Sequence, residues 1–318
     1  MVSKAPWERP LVSIGLPVYN GEGFIRETID SLLAQTFENF ELIISDNASE
    51  DATDDICRYY ASRDPRIHYL RNEKNLGAAK NYNLVFFASA GKYFKWSACD
   101  DLCAPQFLEK CVEALERRPE VVLAYTRSRI IDGNGRQAEA REDELQLDSL
   151  DVPTRFTQTL SAMKVCQNPF MGVIRRGVLA RTRLNGAYLA SDRCLVAELI
   201  LYGPFYQIPE VLFSRRLHSH SISASREWLD FFDPSLKGKI VMPEWRVARE
   251  HALSVSTTPL SVGVKARLYG AVLRWMFDKR VVLFKQLVVA AKLWLKSGLP
   301  GAASPRRGVV SATKEVTL

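Results

Sequence analysis

Between Leu11 and Tyr125 the sequence passes four times from a short apolar, β-branched run to a stretch of helical period, and that rhythm limits the folds open to it. Leu11–Tyr19, Phe40–Ser45, Arg66–Leu70, Tyr93–Trp96 and Val121–Tyr125 read as strands. Glu22–Gln35, Asp51–Ser62, Leu76–Ala90 and Pro105–Glu116 read as the helices between them, the second capped by Ser49 or Asp51. Strands joined through helices need crossover connections. The expected class is therefore α/β, a mainly parallel, Rossmann-like sheet covered on both faces. Ligands on such sheets sit at the carboxyl ends of the strands, so chemistry is expected just after each strand.

The second part is less regular. Residues 131–160 are polar and acid-rich and read as a loop. Phe170–Ile174 reads as a strand, Ser191–Tyr202 as a helix, Phe205–Ile208 and Val211–Leu217 as two strands, and everything from Pro243 onward as helical. A net charge of +7 invites nucleic acid or a membrane surface as partner, but its distribution decides. Residues 233–318 hold fifteen Lys/Arg against five Asp/Glu, whereas residues 1–232 carry −3. Basic residues in the tail alternate with too much apolar surface for a nucleic-acid binder, so none is expected. The six cysteines show no CxxC spacing and read as reduced thiols of a cytoplasmic protein. The N-terminus lacks a signal-peptide pattern, no run is long and apolar enough to span a bilayer, and no P-loop or GxGxxG is present.

Polar groups gather at the strand ends. Strand one ends in Pro17-Val18-Tyr19-Asn20, strand two in Ser45-Asp46-Asn47-Ala48-Ser49, and strand four in Ala98-Cys99-Asp100-Asp101. Asn72-Glu73-Lys74-Asn75-Leu76-Gly77 opens the third helix, with Lys80 and Asn81 one turn in. Singly these are ordinary: Asp46 suits a turn, and Asp100 and Asp101 suit helix caps. Together, Tyr19, Asp46 and Asn47 suit a base and ribose. A carboxylate pair suits a divalent cation bridging a diphosphate, because Mg²⁺ and Mn²⁺ prefer oxygen ligands and substrate phosphates.

The opening V-S-I-x-x-P-x-Y-N, S-L-L-A-Q-T-F at 31–37, F-E-L-I-I-S-D-N-A-S at 40–49, N-x-G-x-x-x-N at 75–81, Ala90-Gly91-Lys92-Tyr93 and the Asp pair make a specific series. Over about residues 10–220 the chain resembles the family 2 glycosyltransferases, which use nucleotide-sugar donors on a GT-A fold. The resemblance implies a catalytic domain over 1–232, with a nucleotide-sugar half at 10–128 and an acceptor half at 129–232, followed by a basic, apolar helical region at 233–318. It implies that Pro17, Tyr19, Asn20, Asp46, Asn47, Asn75, Lys80, Cys99 and Asp100 line the nucleotide-sugar pocket. Asp100, Asp101 and His218 become the metal position, with Mg²⁺ or Mn²⁺ as cofactor. Two departures stand out: the family often has D-x-D-D where this chain has Ala98-Cys99-Asp100-Asp101, and D-D where it has Asp46-Asn47.

An inverting transfer needs a general base at the acceptor hydroxyl. Asp192 matches the family position for it, with Glu198 a weaker alternative and a helix cap the structural one. In the R-x-H segment, Arg216 is expected to neutralise phosphate; Trp96 is expected in the core. In the tail, Arg274, Asp278, Lys285, Lys292 and Lys296 recur at steps of four and seven, as one stripe on one helix beside an apolar face. That fits an interfacial membrane helix on the inner face of the cell membrane, or packing against the domain or a second subunit. The expected activity is inverting sugar transfer from a nucleotide sugar, a UDP-sugar foremost, to a glycan or lipid-linked acceptor in cell-surface polysaccharide synthesis. A sugar nucleotidyltransferase and a non-catalytic carbohydrate- or membrane-binding relative are the rivals.

Overall fold

In the computed structural model, which describes residues 9–139, 147–162, 168–218 and 241–297, β1 (Val12–Val18) is buried at every position. It has to be, because it lies inside a nine-stranded sheet with helices on both faces. The next elements follow in order: α1 (Ile25–Leu33), β2 (Phe40–Asp46), α2 (Thr53–Ala61), β3 (Ile67–Arg71), α3 (Ala78–Phe87) and β4 (Tyr93–Trp96). Strands β3, β2, β1 and β4 lie side by side and parallel. The chain builds outward from β1 to β3 and then returns across the sheet to β4, which opens the crevice at the carboxyl ends of β1 and β4 where ligands bind in such sheets.

The period of two along β1 sends Val12, Ile14, Leu16 and Val18 into one core, where Ile25, Ile29 and Leu32 of α1 and Ile56 and Cys57 of α2 meet them. On the other face α3 packs against β1 through Gly15. A β-carbon there would meet Val85 Cγ2 at 2.5 Å, so only glycine lets the helix come this close.

After β5 (Leu102–Cys103) and α4 (Phe107–Arg117) the sheet becomes mixed, with β6 (Leu123–Ile131), β7 (Gln137–Glu139), β8 (Val173–Arg175) and β9 (Phe205–Arg216). The order is β3-β2-β1-β4-β8-β6-β9-β5, with β7 on β6. Strands β5, β7 and β8 run against the other six, so the mainly parallel sheet expected from the sequence is present. Several local expectations change. Val211 continues the strand begun at Phe205, because β9 stays paired to β6 through two register shifts around Arg127. The acid-rich segment 131–160 is not all loop. It holds β7 and, in α5 (Val152–Ala162), Phe156 and Leu160 one turn apart in the core; residues 140–146 lie outside the described residues. Phe170 belongs to a 3₁₀ turn, Asn168–Met171, ahead of β8.

Two short helices, α6 (Arg176–Leu179) and α7 (Ser191–Leu199), precede β9. Helices α8 (Pro243–Thr257), α9 (Val262–Asp278) and α10 (Arg280–Ser297) follow. The chain breaks at Lys279, so Arg274 and Asp278 ride on α9 while Lys285, Lys292 and Lys296 ride on α10; the single stripe expected from their spacing does not exist. Val255, Leu268 and Val272 join Phe156 and Leu195 in the second core. Trp96 is fully buried there, stacked on Phe170 at 4.9 Å, as expected. Cys57, Cys99, Cys103, Cys111 and Cys194 are free thiols; Cys166 lies outside the described residues, as do Ser219 and His220. No described helix is long and apolar enough to cross a membrane.

Candidate active site

The loops after β1, β2 and β3 are tied by short polar side chains. Asp46 is fully buried: Oδ1 accepts the Ser49 amide at 2.9 Å, and Oδ2 accepts the Tyr69 hydroxyl at 3.0 Å and the Arg71 guanidinium. Asp46 is thus the turn residue its position allows, held by Tyr69 and Arg71, which the sequence reading passed over. Asn47 Oδ1 accepts from the Leu76 amide and Asn72 Nδ2, and its own Nδ2 donates to Asn75 Oδ1 at 2.8 Å. Buried Asn81 joins the same web, accepting from Ser45 Oγ at 2.6 Å and donating to the Ser45 carbonyl at 2.8 Å. Asn20, at a left-handed φ of 51°, uses its side-chain carbonyl on the Glu50 amide at 2.9 Å, so it shapes the loop. Tyr19 and Lys80 stand exposed beside this web, and Pro17 is buried in β1 opposite Ser45.

Strand β5 explains how the Asp pair meets residues more than a hundred positions away. Leu102 and Cys103 pair with Ser214 and Phe213 of β9, which carries the R-x-H segment to the end of β4. Asp100 Oδ2 then lies 3.0 Å from His218 Nε2, whose ring rests on Phe24 at 4.5 Å. Asp101 is buried; its Oδ1 accepts the Arg216 amide at 2.9 Å, and its carbonyl accepts Thr28 Oγ1 at 3.0 Å. Burial, and then the Asp100 charge, push the Asp101 carboxyl up to about 7. Neither aspartate caps α4, whose cap position is Gln106. Cys99 sits beneath the pair with its thiol pushed up by burial and by both carboxylates.

Arg216, expected to neutralise phosphate, is engaged by protein groups. It is buried, with Nε on the Asp100 carbonyl at 2.9 Å, Nη1 on the Gly133 carbonyl at 3.2 Å and Nη2 on Glu27 at 2.6 Å. The strand alternation that turns Arg216 inward turns Arg215 the other way. Arg215 is half-buried and has no hydrogen bond or ion pair among the described residues, yet its charge acts on both Asp101 and Asp192.

Asp192 lies in the first turn of α7, after Ala190 at a φ of 66°; Ala190, not Asp192, holds the cap position. Burial raises its carboxyl above the usual range, with Arg193 and Arg215 opposing. Arg193 has a buried Nε without a hydrogen-bond partner among the described residues. Tyr82 on α3, packed against Trp96 and Phe170, feels these charges: burial raises its hydroxyl, as do Cys99, Asp100, Asp101 and Asp192. Tyr82 was missed in the sequence, where it follows Asn81 without a motif of its own. Glu198, the weaker alternative, is buried and paired with Arg183 at 3.3 Å.

A cation position can be tested on this donor set. No three His, Cys, Asp or Glu side chains converge among the described residues. The Asp100 carboxylate and the His218 imidazole do, at 3.0 Å, and two protein ligands suit an ion that completes its shell with substrate phosphate and water. Asp101 is turned to the Arg216 amide instead.

The profile of Glycosyl transferase family 2 matches residues 13–181, more than half of the chain. The chain belongs to that family. A glycosyltransferase of Haemophilus influenzae is 36% identical over 224 residues, covering 68% of each chain. Chondroitin synthase of Escherichia coli is 27% identical over 68% of this chain but only 30% of its own length, and a glycosyltransferase of Rickettsia typhi is matched over 38% of its length. The chain thus spans well under half of those two relatives. Among solved structures, S. aureus TarS 1-349 in complex with UDP superposes with a TM-score of 0.61 at 16% identity, over 84% of this chain and 72% of that one. The mannosyltransferase PcManGT of Pyrobaculum calidifontis, in complex with GDP-Man and Mn²⁺, gives 0.52 at 19% identity over 93% and 92%. The GT-A fold expected of a family 2 glycosyltransferase is therefore present in this one.

Proposed function

We propose that this family 2 glycosyltransferase moves a sugar from a nucleoside-diphosphate donor to a hydroxyl of a glycan or lipid-linked acceptor, with inversion, in surface polysaccharide synthesis. The reading is supported by the Asp100–His218 pair, 3.0 Å apart at the end of β4, beside buried Asp101 and a half-buried Arg215 whose charge acts on both Asp101 and Asp192. The base and ribose are assigned to the crevice between Tyr19, the Asp46–Asn47 loop, Asn75 and Lys80. A UDP-sugar is the foremost donor, since UDP and UDP-GlcNAc occupy the TarS neighbour, with GDP-Man the alternative from PcManGT.

Asp192 takes the proton of the acceptor hydroxyl as that oxygen bonds to the anomeric carbon, and the bond from that carbon to the diphosphate breaks on the opposite side. The diphosphate leaves with the electron pair. Arg215 meets its charge, a role the sequence pattern gave to Arg216. Asp100 and His218 would hold a divalent cation, Mg²⁺ or Mn²⁺, which when bound supplies positive charge to the same leaving group. Burial serves Asp192 directly, because a raised carboxyl holds a proton more readily than a solvated one.

The test is donor hydrolysis and acceptor transfer over a panel of UDP- and GDP-sugars with Mn²⁺, in the wild type and in Asp192→Asn. Transfer by the wild type, with the product anomer inverted and the Asn variant about a hundredfold slower or worse, is the expected result. A panel in which no nucleotide sugar binds overturns the proposal.

A further inference from the structure

Helices α9 and α10 face outward with the residues that a surface helix hides. On α9 the core side is Leu268 and Val272, at 0% and 3% exposure. On the opposite side Val262, Ala266, Tyr269, Leu273 and Phe277 recur at steps of four, three, four and four, and all stand in solvent. Helix α10 is held to α8 near its start, where Leu283 and Gln286 are buried and Trp245 Nε1 donates to the Leu283 carbonyl at 3.1 Å. Its outward side shows Val281, Phe284, Ala291 and Leu295, again at helical steps. Of the sixteen large apolar side chains that stand exposed among the described residues, nine lie on these two helices. Single exposed apolar residues are ordinary, but two adjoining stripes mark a partner's footprint.

The charges choose the partner. Arg274 flanks the α9 stripe, with Arg267 beside it paired to Asp151 at 3.4 Å, and Lys285 and Lys292 flank that of α10, which carries Arg280, Lys285, Lys292 and Lys296 and no acidic residue. Trp294 is exposed near the far end of α10. A second copy docked face to face would bring these cations against one another. An anionic bilayer surface takes both features, with apolar side chains at the acyl boundary, cations among the headgroups and tryptophan at the interface.

We infer that α9 and α10 form a docking face for an anionic lipid bilayer. The face lies outside the transfer site and stands or falls separately from it.

The full chain is sedimented with phosphatidylcholine vesicles, with and without phosphatidylglycerol, and its mass in solution is measured without vesicles. The expected result is a monomer that binds only the anionic vesicles, with brominated lipid quenching a signal lost in Trp294→Phe. Lys285→Gln with Lys292→Gln weakens binding about tenfold or more. Leu273→Asp with Phe284→Asp abolishes it, with nucleotide-sugar hydrolysis kept at the wild-type rate, since both side chains are exposed. Brominated-lipid quenching in the wild type keeps the test independent of how the variants fold. Failure of the wild type to bind anionic vesicles overturns the inference. So does a dimer in solution that the Leu273/Phe284 variant splits, which makes the face a seam between copies.

Discussion

Arg215 and Arg216 are neighbours in sequence that face opposite ways, and substitution separates the packing of Arg216 from the role proposed for Arg215. Arg216→Ala removes a buried guanidinium that serves Glu27 and the Asp100 and Gly133 carbonyls, so thermal unfolding is expected to show a loss of about 3 kcal/mol. Arg215→Ala breaks no hydrogen bond or ion pair among the described residues. Its stability is expected to stay within about 0.5 kcal/mol of wild type, while kcat/KM for the nucleotide sugar falls about 10- to 100-fold. If Arg215→Ala melts and Arg216→Ala only loses affinity, the assignment is reversed. Asp192 gives a pH signature: its raised carboxyl must be ionised to accept a proton, so transfer falls as acid protonates it. The falling acid limb of kcat is expected above the pH of an ordinary carboxylate, and a flat profile there removes Asp192 as the base.

At the scale of elements, α8 carries a pH-sensitive group in His251. Its ring lies edge-on to Phe156 at 6.3 Å and to Trp275 at 5.5 Å, and burial, with the Arg183 charge, lowers its pKa from 6.5 to about 4. Unfolded, the ring protonates near 6.5; folded, it stays neutral until about 4. The stability it contributes is complete above 6.5 and is lost as pH falls through 4, by about 3 kcal/mol in all. His251→Phe is expected to flatten the fall in melting temperature over that window, and an unchanged slope counts against it. The same scale shows what the sequence could convey. The repeating runs of β1 to α4 were legible because buried strands are short continuous apolar runs and the helices bury one face at a fixed period, and Asp100 and Asp101 because they follow a strand. Asp192, on α7, was placed by the family resemblance. Strand β5 was not legible: two residues carry no period, and β9 recruits them from a distance. Residues Phe156 and Leu160 were hidden because the acidic neighbours of α5 dominate any local average. Tyr82 and Arg215 have no motif; only the packing of α3 and the alternation of β9 place them.

Over the whole molecule, one core crosses the boundary drawn from composition. Val255, Leu268 and Val272, from the basic region, pack in the cluster that also holds Ile43 of β2 and Phe94 and Trp96 of β4. Thermal unfolding is therefore expected to be one cooperative transition, with indole fluorescence and far-ultraviolet dichroism coinciding. Two separated midpoints would show that the helical region melts as a unit of its own. The charge asymmetry fits this shape, since cations of α9 and α10 lie at the outward face while the carboxylates gather at the strand ends.

The Arg216–Glu27 pair also bears on recombination between relatives. Its two ends lie 189 residues apart, one on α1 and one on β9. A chimera that joins the front of one family member to the back of another will keep its strands and still strand a buried guanidinium, unless both parents supply this pair. A chimera that folds therefore carries α1 along with β9.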